Sequence, residues 1–429
     1  MTQLNPNFNE KIRDLELLQR LSDLLTITDL PIEEKLQKVV DIIADAIGVK
    51  KCSLVLYDEK DKKFKIVAAK GINLPKEKLK EIDPLKQSKI ISLVVETKKP
   101  IIVKSYEDMV KLGLKPKKKY EVQSFISTPL IVSNNKFLGV INLTDPVNGK
   151  PFTIEDEKTI YILSNHLAVT VENTKLSEEV IKNKIIKEQL KLAEKIQKSL
   201  LPKNFPETKD VEFYGVSKPT FRIGGDYFDV IRLNENEIAF ILADVSGKGV
   251  PASLIMTSFR SYFHAILKRY KRPETVLTKL NNLMLNDLEE NSMFITCFYG
   301  IYNIKKKELI YGSAGHEPAL IYKANSKKFK FLDTIDTILG AFKDYKFSSR
   351  RKKFHKNDIL IVYSDGVTDL HKEINGIQLL KENVKKFADK SIKQIIKNFI
   401  KRIEKIITEH EQFDDITILG KKIKRWCYV

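Results

Sequence analysis

The chain has 429 residues, roughly two to four domain lengths at about 100 to 200 residues each, so more than one hydrophobic core is expected. Hydrophobic residues make up 42%, with only 17 glycines and 15 prolines, which excludes a collagen-like or broadly disordered chain. The net charge of +19 suits anionic partners but does not distinguish nucleic acid, lipid and phosphoprotein.

The cysteines and the first residues indicate a cellular compartment. Cys52, Cys297 and Cys427 are far apart and form no CxxC pair, which argues against a disulfide framework and against a zinc cluster. The first residues are polar and charged where a signal peptide is apolar, and no uncharged apolar run approaches roughly 18 residues. We therefore predict a cytoplasmic protein with no membrane partner.

The first third of the chain alternates between helical and strand patterns. Apolar residues at helical spacing predict a helix over residues 8–28, and a second helix begins after Pro31 and ends at Gly48. The runs CSLVLYD and FKIVAAKG predict a β-hairpin, and VQSFISTPLIV with FLGVINLTD predict another. A long helical pattern then starts at FTIEDEK.

Three motifs in this region resemble the C-terminal half of a GAF domain. They are STPL at 127–130, LGVINL at 138–143, and PFT at 151–153 followed by Asp156. The resemblance covers about residues 15–175. It implies a central antiparallel sheet flanked by helices, and a small-molecule ligand as a partner of this domain.

GAF domains that bind cyclic nucleotides carry an Asn-Lys pair followed by Phe-x-x-x-Asp-Glu. Phe152, Asp156 and Glu157 match the second part, but Asp145-Pro146 stands where we would place the Asn-Lys pair. Acidic residues at a helix N-terminus are also favoured by the helix dipole, and we interpret Asp156 and Glu157 in that way.

A coiled-coil-like helix is predicted to follow the GAF region. Residues 165–201 contain no Gly or Pro, and Pro202 and Pro206 end the helix. Asn183 lies inside the apolar stripe, where it either sets the register of a dimer or is simply solvated. The pattern predicts a homodimer. The stripe recurs at steps of three and four residues: Leu176, Val180, Ile186, Leu190, Ala193, Ile196 and Leu200.

The second half of the chain is predicted to be an α+β sandwich. Strands are indicated by VEFYGVS, DYFDVIRL and IAFILADV, then by ITCFYGIYN, ELIYGSAG, ALIYK, FKFL, FSSRRKKF, DILIVYSD and finally DDITILG. Helical patterns cover about residues 251–269, 273–288 and 376–410. Antiparallel strands with two pairs of helices indicate a helical layer on each face of the sheets.

Aspartates recur beside glycine, or beside another aspartate, at four strand ends or loops of this half: Gly224-Gly225-Asp226, Asp244-Val245-Ser246-Gly247, Ser364-Asp365-Gly366 and Asp414-Asp415. One such pair is typical of a turn, and the adjacent glycines permit tight turns and close approach of a ligand. Four together indicate converging carboxylates, which need cations to offset their repulsion. Oxygen ligands suit Mg²⁺ or Mn²⁺ rather than zinc.

Five motifs, in the order GGDYFD, LADVSGKGVPASLIM, GSAGHEPAL, VYSDGVTDL and FDDIT, resemble the SpoIIE-type (RsbU-like) branch of the metal-dependent serine/threonine phosphatases, the PPM family. The resemblance covers about residues 205–422 and implies an α-β-β-α sandwich. The segment AEKIQKSLLPKNFP is similar to the linker that precedes this domain in the family.

The resemblance also implies roles for individual residues. Asp244 matches the carboxylate that bridges two metal ions, and the Val245 carbonyl matches the backbone ligand beside it. Asp365 and Asp414 match the other direct metal ligands. Asp226 matches an acidic residue that holds a metal directly or through its water. The implied cofactors are two Mn²⁺ or Mg²⁺ ions.

Further residues match the family with less defined roles. Asp415 occupies a position that supports the ligands, and Gly225 and Gly366 flank them. His316 is either the general acid for the leaving oxygen or a hydrogen-bonded loop anchor. Arg222 either binds the substrate phosphate or is an ordinary surface arginine.

The predicted organisation is an N-terminal helix (1–30), a GAF sensor (31–175), a helical linker (176–204), a phosphatase domain (205–422) and a tail (423–429). The resemblance implies hydrolysis of phosphoserine or phosphothreonine, with a STAS-domain anti-sigma-factor antagonist as the partner and the GAF domain as regulator. The alternative is a catalytically silent pseudo-phosphatase that binds partners. Nucleic-acid binding would rest on charge alone, since no matching motif is present, and we predict no nucleic-acid partner.

Overall fold

The computed structural model describes residues 15–24, 30–58, 63–72, 89–114, 122, 124–132, 135–332, 336–370, 374–409 and 414–424. The chain divides into two units, residues 1–184 and 185–429. The helix predicted over residues 8–28 is helical from 15 to 24, and its other residues lie outside the described part. Cys427 and most of the predicted tail also lie outside it.

The first unit contains one antiparallel sheet, with strand order β2-β1-β5-β4-β3. Both predicted hairpins are confirmed, because β1 pairs with β2 and β4 pairs with β5. The strands are β1 (Val49–Asp58), β2 (Lys63–Lys70), β3 (Ile101–Val103), β4 (Phe125–Val132) and β5 (Lys136–Pro146).

Helices cover both faces of this sheet, as the GAF resemblance implies. They are α1 (Ile32–Ile47), α2 (Lys89–Thr97), α3 (Tyr106–Lys111) and α4 (Ile154–Leu200). Helix α1 ends at Gly48 in the left-handed conformation, with φ of 75°. One core packs α1 and the first turns of α4 on one sheet face, and a smaller cluster involving α2 lies on the other.

Asp156, one of the acidic residues at the start of α4, takes part in the cap of the helix. The Asp156 carboxylate accepts hydrogen bonds from the Thr153 backbone N–H at 2.8 Å and from the Thr153 hydroxyl at 2.9 Å. These bonds cap the helix. Asp145 is buried, and its carboxylate forms an ion pair at 2.6 Å with Lys51, so it joins β5 to the neighbouring strand β1.

Helix α4 changes character along its 47 residues. Its buried residues run from Ile160 to Val171. Many apolar side chains beyond them are exposed, among them Leu176, Val180 and Ile186, whereas Leu190, Ala193 and Leu200 are half-buried. An exposed apolar stripe on a long helix is what a coiled-coil partner would cover. Within the described ranges, no helix has both the length and the apolar character needed to cross a bilayer.

The second unit contains two antiparallel sheets of five strands, in the orders β13-β10-β9-β8-β7 and β12-β11-β14-β15-β6. The strands are β6 (Val211–Lys218), β7 (Tyr227–Arg232), β8 (Glu237–Val245), β9 (Ile295–Asn303), β10 (Glu308–Ala314), β11 (Ala319–Lys323), β12 (Lys328–Leu332), β13 (Arg350–Lys353), β14 (Ile359–Tyr363) and β15 (Ile416–Ile423).

Three apolar layers confirm the predicted α-β-β-α sandwich. The middle layer joins the inner faces of the two sheets, with Phe240 and Leu419 among its buried residues. One outer layer joins the first sheet to α5 (Val250–Leu267) and α6 (Pro273–Glu290), and the other joins the second sheet to α7 (Gly376–Lys386) and α8 (Ile392–Glu409).

Lys421 lies in the middle layer, where apolar side chains are expected. Its ammonium nitrogen is buried without a hydrogen bond, 3.4 Å from the ring centroid of Tyr302 and 3.5 Å from that of Phe354. The ring faces favour the cation, but burial lowers the pKa of Lys421 well below its ordinary value, and Asp358 only partly opposes this. Loss of hydration therefore outweighs the attraction of the rings.

Lys421→Met is expected to raise the free energy of unfolding at pH 7 by about 1 to 4 kcal/mol. The folded pKa lies below the unfolded pKa of about 10.4, so wild-type stability rises with pH between those two values. The variant should lose this slope. Urea unfolding at pH 7 and pH 9.5 checks both effects, with exposed Lys330→Met as control; equal slopes in wild type and Lys421→Met would contradict the expectation.

Candidate metal centre

The predicted site aspartates meet where strands of the two sheets end. In the first sheet Tyr227 pairs with Ala243, so the preceding Asp226 lies opposite Asp244. In the second sheet, β14 and β15 are antiparallel neighbours, so the residues that follow β14 and those that precede β15 share one end. Asp365 and the pair at 414–415 occupy that end.

The carboxylates at the ends of the two sheets lie close enough to influence one another electrostatically. Burial, followed by the charge of Asp365, raises the pKa of Asp244 to about 7, and Asp414 and Asp415 add to the effect. Burial and the charge of Asp414 raise the pKa of Asp365 to about 6. Burial is the larger cause of each shift, and neighbouring negative charges add to it by disfavouring ionisation further.

Asp226 is the most deeply buried of these acids. It is 4% exposed, and neither carboxylate oxygen has a hydrogen bond of good geometry, although the Thr417 and Ser364 hydroxyls lie nearby. Burial and the charges of Asp244 and Asp415 raise its pKa well above the usual range. A buried carboxylate without a well-formed hydrogen bond is costly, so its oxygens are suited to a ligand that carries positive charge.

The donor set fits hard cations. It comprises carboxylate oxygens and the Val245 carbonyl, which is so close to Gly225 that a Cβ there would be 2.7 Å from the carbonyl oxygen. Within the described ranges, no three Asp, Glu, His or Cys side chains are arranged to hold a single ion.

Asp415 supports the loop before Asp226. Its carboxylate accepts hydrogen bonds from the backbone N–H groups of Thr220 at 2.7 Å and Gly225 at 3.0 Å. Its own N–H donates to Asp414 Oδ1 at 2.8 Å. Asp415 thus links the start of β15 to the loop that carries Asp226, in keeping with a supporting position.

Gly366 lies at a close crossing of two backbones. A short 3₁₀ turn covers Asp365–Val367, and a Cβ at Gly366 would overlap the carbonyl oxygen of Asp415. Only glycine permits this approach, which holds Asp365 near Asp414.

His316 lies beside the carboxylates but is a poor proton donor. The ring Nδ1 of His316 is 2.8 Å from the Thr296 hydroxyl, and Thr296 pairs with Asp244 across β8 and β9. The backbone N–H of His316 donates to Ser313 Oγ at 3.2 Å. Burial lowers the pKa of His316 to about 3, so the ring is neutral near pH 7. The geometry favours the loop anchor over the general acid.

The structure adds residues that we did not predict from the sequence. Gln197, near the end of α4, makes two hydrogen bonds with Gly224: its Nε2 donates to the carbonyl at 2.7 Å, and its Oε1 accepts from the N–H at 3.1 Å. Arg222, for which the sequence left two alternatives open, pairs with Glu194 at 3.2 Å, and this pairing disfavours phosphate binding by Arg222. Lys248 lies 3.0 Å from Asp414 Oδ2. Gln197 and Lys248 lie within the sequence motifs that resemble the family, and that placement is the signal by which they could have been found.

Comparisons with known proteins identify the families that the two parts of the chain match. The family described as Stage II sporulation protein E (SpoIIE) matches residues 234–424, and the GAF domain family matches residues 31–173. Phosphoserine phosphatase RsbU of Bacillus subtilis (strain 168) is 30% identical over 241 residues, covering 54% of this chain and 70% of that protein. Phosphoserine phosphatase RsbP of the same strain is 27% identical over 234 residues, covering 53% and 56%.

Among solved structures, the SiaA-PP2C domain of Pseudomonas aeruginosa resembles this chain with 20% identity and a TM-score of 0.49, covering 56% of this chain and 98% of that one. The match to RsbP leaves more than a third of that relative unaligned.

Proposed function

We propose that this chain, a member of the RsbU-like family of protein serine/threonine phosphatases with a GAF domain before its SpoIIE-type PPM domain, hydrolyses phosphoserine or phosphothreonine in a signalling phosphoprotein with two Mn²⁺ or Mg²⁺ ions. Phosphatases of the PPM family depend on such metals. When bound, the ions would lower the pKa of a water molecule and offset negative charge on the phosphoryl oxygens. We further propose that the protein acts in the cytoplasm.

The observation that carries this proposal is the group of converging carboxylates around Asp226. Asp226 is buried next to Asp244, and burial and neighbouring negative charges disfavour ionisation of both carboxylates. Such an arrangement has no benefit for stability, whereas it supplies the oxygen ligands of a hard-metal site. We assign Asp226, Asp244, Asp365 and Asp414, with the Val245 carbonyl, as those ligands.

Nearby side chains are poorly suited to act as a covalent nucleophile. Burial raises the pKa of Cys297, which disfavours its thiolate. The Ser364 hydroxyl donates to the Asp415 carbonyl at 3.1 Å and accepts from the Thr417 N–H at 2.9 Å. A neutral His316 cannot protonate a leaving group near pH 7. These features support direct attack by water without a phosphoenzyme intermediate.

We propose a STAS-domain anti-sigma-factor antagonist as the phosphoprotein. The support is kinship with RsbU and RsbP, both of which are phosphoserine phosphatases by name. The net charge of +19 would attract an anionic phosphoprotein through its long-range field.

The decisive assay measures release of phosphate from a serine-phosphorylated STAS protein by the full chain. Release should require Mn²⁺ or Mg²⁺, stop on chelation with EDTA, and be lost in Asp244→Ala and Asp365→Ala. If the folded wild type binds neither Mn²⁺ nor Mg²⁺ in calorimetry and releases no phosphate, the pseudo-phosphatase alternative replaces the proposal. Equal release by wild type and both variants would refute the assignment of the site.

We also propose that the GAF domain regulates the site through α4, in a homodimer whose helices pair along the exposed stripe. Gln197 supports this, because it joins α4 to Gly224, two residues before Asp226. A change in the helix would thereby reach a metal ligand. Leu190→Pro should uncouple GAF-dependent regulation from catalysis, and unchanged regulation would count against the proposal.

Gln197→Ala is expected to raise the Mn²⁺ concentration needed for half-maximal activity by roughly 5- to 30-fold. Two hydrogen bonds to Gly224 are lost, at about 1 kcal/mol each, and the loop that carries Asp226 is held less firmly. Titration of phosphatase activity with Mn²⁺ measures the effect. The control is Glu194→Gln, a substitution on the same helix as Gln197 that weakens an ion pair with half-exposed Arg222. It should change the Mn²⁺ requirement little. An unaltered Mn²⁺ titration in Gln197→Ala would contradict the expectation.

A further inference from the structure

Lys248 places a positive charge at the open side of the acidic cluster. It lies in the loop between β8 and α5, and its Nζ is 3.0 Å from Asp414 Oδ2. The side chains of Lys248 and Asp414 are 37% and 34% exposed, whereas Asp226 is 4% exposed. The ammonium of Lys248 is therefore accessible to a solute that approaches the acidic cluster.

The backbone holds Lys248 in this place. Gly247 and Gly249, on either side of it, have φ of 92° and 73°, a left-handed conformation that favours glycine. Gly249 is also the N-cap of α5, an 18-residue helix. The lysine is thus carried by a sharply turned loop at the positive end of a helix dipole.

A phosphate monoester is negatively charged, and the site contains several carboxylates. Positively charged groups near the carboxylates therefore favour its binding. Arg222 is engaged with Glu194 on α4. Lys248, in contrast, touches a carboxylate of the cluster itself, and its ammonium offers three donors on a long flexible side chain. Half-exposed ion pairs are weak, so the ammonium can exchange Asp414 for an incoming phosphoryl oxygen.

We propose that Lys248 binds the phosphate of the substrate, exchanging its partner Asp414 for a phosphoryl oxygen. The inference rests on the proposed function and adds a substrate-binding residue to it. Lys248 then has two roles: it offsets the charge of Asp414 before substrate arrives, and it orients the phosphate afterwards. The same contact would hold the inorganic phosphate product.

The test compares the full-length wild type with Lys248→Met and Lys248→Arg at saturating Mn²⁺. The Met variant should raise the inhibition constant for inorganic phosphate and the KM for the phosphoprotein at least tenfold, with a smaller change in kcat. The Arg variant, which keeps a cation, should recover most of the affinity. Arg222→Met is the matched control and should leave the phosphate inhibition constant unchanged.

Calorimetric titration of inorganic phosphate into the Mn²⁺-loaded proteins gives a second readout, independent of turnover. Circular dichroism establishes that each variant is folded. Unchanged phosphate affinity in Lys248→Met, with wild type active, overturns the role of Lys248 alone. A wild type that releases no phosphate instead refutes the proposed function. Weaker Mn²⁺ binding in Lys248→Met, with phosphate affinity intact, would also overturn the inference, because it assigns the lysine to support of the ligands.

Discussion

Asp226→Asn is expected to abolish most phosphate release while making the metal-free protein more stable. The carboxylate is buried, has no well-formed hydrogen bond and faces the charges of Asp244 and Asp415. The amide keeps the shape but removes the charge. We expect the free energy of unfolding without metal to rise by about 1 to 3 kcal/mol. Activity should fall by about 10²- to 10³-fold, the usual cost of losing one charge-stabilising group.

Urea unfolding in EDTA and phosphate release in Mn²⁺ measure the two effects separately. Asp229→Asn is a matched control, because this nearby aspartate accepts a hydrogen bond from Tyr227 at 2.7 Å and contacts His264 at 2.9 Å. Removing its charge should lower stability. If Asp226→Asn also destabilised the metal-free protein, the carboxylate would have favourable partners and the reason for assigning it to a metal would be lost.

Gly366→Ala is expected to lower both stability and activity. The added Cβ would overlap the Asp415 carbonyl oxygen, so one of two backbone segments must move. Overpacking of this kind costs about 1 to 3 kcal/mol, and more where backbone meets backbone. The displacement separates Asp365 from Asp414, and a shift of about 1 Å in catalytic groups can cost about 10²-fold in rate.

Gly149→Ala provides the comparison for this glycine. Gly149 also has a positive φ, of 68°, but a Cβ there meets nothing within 4 Å. Its substitution should cost about 1 to 2 kcal/mol through backbone strain and leave activity unchanged. Thermal unfolding measures the stability of both variants, and phosphate release measures their activity. Full activity in Gly366→Ala would show that the backbone crossing tolerates a side chain and does not set the ligand geometry.

Local sequence patterns predicted elements whose burial agrees with their periodicity. Helix α1 shows one apolar face between Pro31 and Gly48, and the structure buries that face. The aspartates at strand ends were also identifiable, because an apolar run that stops at Asp244 or Asp365 marks where a strand leaves the core. That these ends meet depends on β7 pairing with β8 and β14 with β15. The second pairing joins distant parts of the chain, and only family resemblance implied it.

Other features depend on tertiary contacts that no local pattern encodes. Lys421 lies on the same face of β15 as Leu419 and Ile423, which faces the middle layer, so its position in the strand overrides the polarity of its side chain. The role of His316 depended on its burial, which lowers its pKa. Gln197 and Lys248 are polar residues in motifs, and their partners are separated from them in sequence.

The position of β15 has a consequence for how the phosphatase domain is made. This strand lies between β14 and β6, and Val211 of the first strand of the domain pairs with Ile423 of the last. During synthesis the second sheet stays incomplete until β15 has emerged, and pairing over so long a separation makes folding slow. Asp414 and Asp415 immediately precede that strand. A nascent chain therefore cannot assemble the acidic site early, and the site forms only together with the completed fold.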